Sequence, residues 1–239
     1  MVDSQTPRLL TLLRAPQAAD RAAFMDWVLT SAPALAQEIP GIDELIVDLV
    51  DVDPGDAEWV RPGEARAAPA SPAYDAVIEV AATARDLQRA AEMIEREFKT
   101  GSAVLSMYRT RPMPARIDRA RRAGARSPGV KYIVLCRFHA DMPQSAVQRS
   151  WAHHVSLALR VHVGADIYIR HWVEETLSPG APPVEGVTEL HFPTFEDMCS
   201  RWFIDDDGRR QIIQDIGHFL ASGTRLYTSE HVLKAPDPA

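Results

Sequence analysis

The chain has 239 residues, of which 46% are apolar and 25% charged, with a net charge of −7. That balance is ordinary for a folded globular protein and argues against nucleic acid or an anionic membrane as the main partner. Two cysteines, Cys136 and Cys199, match no zinc or redox spacing and read as buried, inert thiols in a reducing cytoplasm. Met1–Arg14 lacks the long apolar core of a signal peptide, and no stretch reaches the roughly 20 apolar residues of a membrane span.

In chain order, Arg8–Arg14 is a short apolar run that predicts a strand. Ala19–Glu38 carries apolar residues at helical spacing, with Asp20 as its N-cap. Ile42–Val52 reads as a strand and 53–73 as a loop rich in Pro, Ala and Gly. Tyr74–Ala81 is a strand, Ala84–Phe98 a helix and Val104–Thr110 a strand. This is the β-α-β-β-α-β order of a ferredoxin-like unit.

The order then repeats. Gly129–Phe138 is a strand, Pro143–His162 a helix with Pro in its first turn, and Gly164–Glu174 a strand. A Pro-rich loop spans 178–183, Val187–Phe192 alternates as a strand, and Thr194–Phe203 is a helix capped by Thr194. Asp207–Ala221 adds a helix and Arg225–Leu233 a closing strand. Landmarks align between the copies: Arg14 with Arg137, and Trp27 near Trp151. The fold class is therefore α+β: two fused ferredoxin-like units forming a pseudo-dimeric α/β barrel. Residues 1–113 form the first unit, 114–128 an Arg-rich linker and 129–239 the second unit. The five arginines of the segment, Arg116, Arg119, Arg121, Arg122 and Arg126, read as a solvated run. A ferredoxin-like sheet leaves one face bare, and pairing two such faces makes the space between the sheets the expected ligand cavity.

All eight histidines, from His139 to His231, lie in the second copy. At about 100° per residue, Val147, Trp151, Val155, Ala158 and Val161 share one face of the helix 143–162. His154 falls near the middle of that face and His153 on the polar side. The first copy places Ser31 at the matching inward position. On the next strand Tyr168 and Arg170 share one face, Ile169 and His171 the other. Asp215 and His218, at i and i+3, read as a surface pair, and Glu230 as an exposed edge carboxylate or a second acid. The motifs GxGxxG, the P-loop, GxSxG and HExxH are absent, and the adjacent His153 and His154 lack the spacing to chelate one ion.

Trp151-Ala-His-His154-Val-Ser-Leu-Ala-Leu resembles the Trp…His-Ala-Pro-Leu helix signature of the EthD-domain family, in the dimeric α/β-barrel superfamily. Pro183–Phe192 is similar to the family's "DG-v-e-l-w-f" strand, Phe195–Met198 to the start of the next helix, and Gln214–Phe219 to its "D-e-x-x-F" segment. Glu230 falls on the closing strand. The resemblance spans roughly 130–234. It departs in the spacing of Trp151 and His154, which is three where four is usual. In the first copy Trp27 and Ala32-Pro33 survive, but Ser31 stands where the family has His.

The resemblance implies a cofactor-independent enzyme (a lyase, decarboxylase, dehydratase or isomerase) acting on an apolar, aromatic small molecule. His154 would be its acid or base, Tyr168 or His171 would orient that group or stabilise an oxyanion, and Glu230 would be a second acid. Arg137, Trp151, His191 and Phe192 are the substrate-binding candidates. No cofactor is expected. The alternatives are a haem-dependent oxygenase or peroxidase-like barrel, with His154 or His171 as axial ligand, and a non-catalytic carrier of an apolar metabolite. Nucleic acid and membrane are not expected partners, and a homodimer of the fused pair stays open.

Overall fold

A computed structural model describes residues 6–54 and 72–235. The first unit holds β1 (Arg8–Arg14), α1 (Arg21–Ser31), α2 (Pro33–Glu38), β2 (Ile42–Leu49), β3 (Ala76–Ala82), α3 (Ala84–Phe98) and β4 (Val104–Ile117). A short β5 (Ala125–Arg126) precedes the second unit: β6 (Val130–Phe138), α4 (Gln144–Val161), β7 (Ile167–Thr176), β8 (Gly186–Phe192), α5 (Phe195–Arg201), α6 (Asp206–Gly217) and β9 (Leu220–Lys234). The Pro-, Ala- and Gly-rich stretch expected over 53–73 lies mostly outside the described residues.

Local chemistry sets the helix ends. The Asp20 carboxylate accepts from the backbone N–H of Ala22 and Ala23, and Thr83 and Thr194 accept from the N–H of Asp86 and Asp197. The helix expected over 19–38 is two helices. Pro33 has no N–H to continue the ladder, so α1 ends at Ser31 and α2 restarts with Pro33 in its first turn.

Within each unit the strands run in the same spatial order, second-third-first-fourth: β2-β3-β1-β4 and β7-β8-β6-β9. The last strand of each unit pairs with the second strand of the other, β4 with β7 and β9 with β2, and every pairing is antiparallel. Eight strands thereby close into a barrel with no free edge, as expected for two fused ferredoxin-like units. The segment expected as a linker takes part in this closure. β4 runs on to Ile117 along β7, and β5 pairs with β9. Gly129, at φ +81°, turns the chain into β6 so close to β8 that a Cβ there would lie 1.8 Å from the Phe192 carbonyl oxygen.

The helices coat the outside of the barrel. One apolar layer packs Leu9, Phe24, Val28, Leu45, Ile78 and Phe98 in the first unit, and a second packs Val147, Trp151, Phe192, Met198 and Trp202 in the second. A third cluster, including Leu10, Leu12, Tyr108, Ile133, Val187 and Leu226, plugs part of the barrel interior. Cys136 is buried as expected, with burial pushing its thiol up to about 12, whereas Cys199 is exposed.

Candidate functional site

Strand alternation sends the candidate residues to two faces. His154, Trp151, Tyr168 and Phe192 face the helix layer of the second unit; His171, His191 and Glu230 face the barrel interior; Arg137 is exposed near the end of β6.

On the helix side, α4 presents Val147, Trp151, His154, Ala158 and Val161 as its buried stripe, and His153 is exposed. An apolar cavity of about 80 Å3 lies beneath this stripe, between α4, α6 and the sheet, lined among others by Tyr132, Trp151, His154, His162, Trp202 and Phe219. Gly186 lets α4 approach the sheet: a Cβ on it would sit 2.6 Å from the Trp151 ring and 2.9 Å from Phe138. Trp151 in turn packs on Phe138 and Trp172 and lies under the Arg170 guanidinium, 5.4 Å from its ring centre. Arg170 also donates to the Trp151 carbonyl oxygen.

His154 Nδ1 lies 2.7 Å from Asp215 Oδ2. The carboxylate only accepts, so Nδ1 carries a proton and Nε2 is the ring atom left to give or take one. The hydrogen bond from His154 is the main reason the Asp215 carboxyl titrates below its usual value. Asp215, about a third exposed, links the buried imidazole to solvent. This pairing replaces the surface pair expected between Asp215 and His218. The α6 helix turns Asp215 toward α4, a relation between two helices that spacing along one of them does not reveal. A second imidazole, His162, sits on the cavity wall with Nδ1 3.0 Å from the Trp202 carbonyl oxygen. Burial lowers its pKa to about 4, so it is neutral at neutral pH. Tyr168 is buried beside this layer, its hydroxyl has no hydrogen-bond partner, and burial raises its pKa. Phe192 is fully buried and packs on Trp202, away from the cavity lining.

The space between the two sheets, expected to be the ligand cavity, holds the third apolar cluster. Beyond its apolar plug lies a buried ionic network. Lys131 Nζ contacts Asp48 at 2.9 Å, Glu189 at 3.3 Å, Glu230 at 3.6 Å and also Glu79. Arg8 bridges Glu44 and Glu79. Arg121 reaches Glu230 at 3.1 Å, with Glu44 and Glu189 each at 3.5 Å. Arg121 thus leaves the solvated run expected of its segment and enters the barrel. Glu230, read as an edge carboxylate, is 2% exposed. It also accepts from the Ser127 hydroxyl at 2.6 Å. Burial opposes ionisation of Glu230, but Arg121, His191 and Lys131 outweigh it and pull its pKa far down. Burial likewise opposes the Lys131 ammonium, yet Asp48, Glu189 and Glu79 hold its pKa well above the ordinary value. His171 and His191 both border Glu189, at 2.7 and 3.4 Å. Sequence reading missed Lys131, Asp48, Glu79 and Glu44. The one available signal was a charged residue at an inward position of an otherwise apolar strand.

No helix among the described residues is long and apolar enough to cross a membrane. No family model and no curated protein matches the sequence. Solved structures do match. An anthrone oxidase-like protein superposes over 100% of this chain and 98% of its own, with a TM-score of 0.62 at 9% identity. A proposed monooxygenase from Lactobacillus acidophilus NCFM covers 98% of both chains, with a TM-score of 0.53 at 10% identity. A mutant chlorite dismutase from Candidatus Nitrospira defluvii, in complex with cyanide, matches 97% of this chain and 93% of its own, with a TM-score of 0.54 at 14% identity. At such identities the likeness is one of fold, and the chain has the dimeric α/β-barrel fold in a single fused polypeptide.

Proposed function

We propose that the protein is a small-molecule enzyme whose site is the apolar cavity of the second unit, with His154 as the acid–base group and Asp215 as the residue that orients it. The observation that carries this reading is the 2.7 Å contact between His154 Nδ1 and Asp215 Oδ2 on the wall of a largely apolar cavity. The contact fixes the tautomer and turns Nε2 into a base, and Asp215 stabilises the imidazolium formed when Nε2 takes a proton. A carrier of an apolar metabolite needs no such dyad, and the names of the matching structures (oxidase-like, monooxygenase, dismutase) favour an enzyme over a carrier.

The lining selects an apolar ligand, and the volume of about 80 Å3 selects a small one, a single aromatic ring entering only as the cavity widens. For scale, a dry apolar cavity of about 150 Å3 accepts benzene. The reaction begins with transfer of a C–H or O–H proton of the substrate to His154 Nε2. The electron-rich carbanion or phenolate left behind expels a leaving group, is reprotonated at another carbon, or gives electrons to dioxygen as co-substrate; in a decarboxylation His154 instead delivers its proton to the carbon that loses carbon dioxide. The proton returns to the product or leaves through Asp215 to solvent. The EthD resemblance favours the first group and the names of the solved structures favour oxidation.

Haem, the alternative cofactor, finds a suitable axial donor in His154 Nε2, but about 80 Å3 is far below the space of a cofactor site, roughly 300–1,000 Å3. The residues as placed do not fit a porphyrin, and no step is routed through one. The test is turnover of monocyclic phenols and aryl carboxylic acids by wild type and His154→Ala. A substrate turned over at equal rates by both sinks the proposal, as does a Soret band on stoichiometric addition of haemin.

A further inference from the structure

We propose that the barrel interior binds one divalent transition-metal ion between His171, Glu189 and Glu79, a site on the opposite face of the sheet from the His154 cavity and independent of it. These three side chains come from β7, β8 and β3, so both units contribute. Each can offer one donor atom, and the three donors lie within 4.8 Å of one another. All three residues are at most 3% exposed.

Glu79 is shared with Lys131 and Arg8, whereas His171 and Glu189 face each other. His171 Nε2 lies 2.7 Å from Glu189 Oε1, and among the described residues neither atom has another hydrogen-bond partner. A shared ion would serve both buried atoms at once. Metal–ligand bonds of about 2.0–2.2 Å place neighbouring donors roughly 3.0–3.4 Å apart, so these two atoms would part slightly to share an ion. His171 Nδ1, on the far side of the ring, meets Thr110 Oγ1 at 3.4 Å, the outer contact that orients a ligating imidazole.

Charge points the same way. Five buried carboxylates, Glu44, Asp48, Glu79, Glu189 and Glu230, face three cations, Arg8, Arg121 and Lys131. The carboxylates outnumber the cations in a region shielded from water. Lys131 shares Glu79 with the site. It approaches Glu189 through Oε2, leaving Oε1 turned to His171. A mixed imidazole and carboxylate set suits zinc, manganese or iron(II) better than calcium.

Because the donors are buried, the ion is expected to load as the barrel closes. The test refolds the full chain from denaturant with zinc or manganese chloride, passes it over a chelating column and counts ions per chain. Wild type should retain one ion and gain roughly 5–10 °C in Tm over protein refolded with chelator. His171→Gln should retain less than a tenth, and His154→Ala should load like wild type. Refolding with cobalt(II) gives a second readout, since visible d–d bands report imidazole and carboxylate ligation even if His171→Gln fails to fold. Wild type that keeps no ion from any of the three salts overturns the proposal, and so does equal retention by wild type and folded His171→Gln.

Discussion

His154 Nδ1 and Asp215 Oδ2, on helices α4 and α6, meet at 2.7 Å at the edge of an apolar cavity. The contact determines which ring nitrogen carries the proton, so its loss can be read without knowing the substrate. In wild type the ring should be a single Nδ1–H tautomer, seen as one set of 15N shifts. In Asp215→Asn the side-chain amide can present either a donor or an acceptor to the ring, and both tautomers should appear. Turnover of any substrate found should fall about 100-fold or more, as for general-base groups that lose their orientation. A single unchanged tautomer in Asp215→Asn would refute the orienting role.

The other cavity histidine makes stability depend on pH. Burial, helped by His154 and Arg116 and opposed by the hydrogen bond to the Trp202 carbonyl, keeps folded His162 neutral down to about pH 4, whereas an unfolded histidine takes its proton near 6.5. The unfolded chain therefore binds the proton first as pH falls. His162's contribution is fully present above pH 6.5 and is lost progressively between 6.5 and 4. The span amounts to about 3 kcal/mol at 1.36 kcal/mol per unit. His162→Asn keeps a donor for the Trp202 carbonyl but does not titrate. Urea denaturation from pH 7 to 4 should show a flatter stability curve for the variant by about that amount, and parallel curves would contradict it.

Much of this architecture was legible in the chain. The repeated β-α-β-β-α-β order, the Asp20 and Thr194 caps and the inward turn of His154 follow from periodicity and local hydrogen bonding, which neighbours in sequence determine. The Asp215 pairing, the burial of Glu230 and the entry of Arg121 into the barrel do not. Each depends on which strand faces which across the closure, and a charged residue reads as a surface residue until its partner, here Lys131 or Arg121, is placed beside it. An inward charge such as Glu79 looks like an interruption in an apolar strand, yet it shows that the barrel interior is ionic.

Gly186 tests how closely α4 is seated on the sheet. An added methyl would meet the Trp151 ring at 2.6 Å and Phe138 at 2.9 Å, and both rings are hemmed in by Trp172. Neither can swing away freely, so Gly186→Ala should overpack the layer and cost about 1–3 kcal/mol. A lower Tm by thermal denaturation is the expected outcome, together with weaker binding of small aromatic ligands because Trp151 lines the cavity. An unchanged Tm would mean that the ring stack yields more easily than its packing implies.

Lys131 is the centre of the barrel's charge network, 1% exposed and in contact with four carboxylates. Removing one partner of a buried ion pair leaves the others desolvated and unpaired, which costs about 3–5 kcal/mol. Lys131→Met matches the side chain's length and keeps its packing, so its loss of stability in urea should fall in that range and report charge rather than volume. The triple variant Lys131→Met, Asp48→Asn, Glu79→Gln removes the two carboxylates the ammonium approaches most closely and should recover part of the loss. The two sets of changes are in contact, so their effects should not add. If Lys131→Met alone leaves stability unchanged, the carboxylates take up protons or a metal ion in its place, and the metal content of the purified variant separates these two outcomes.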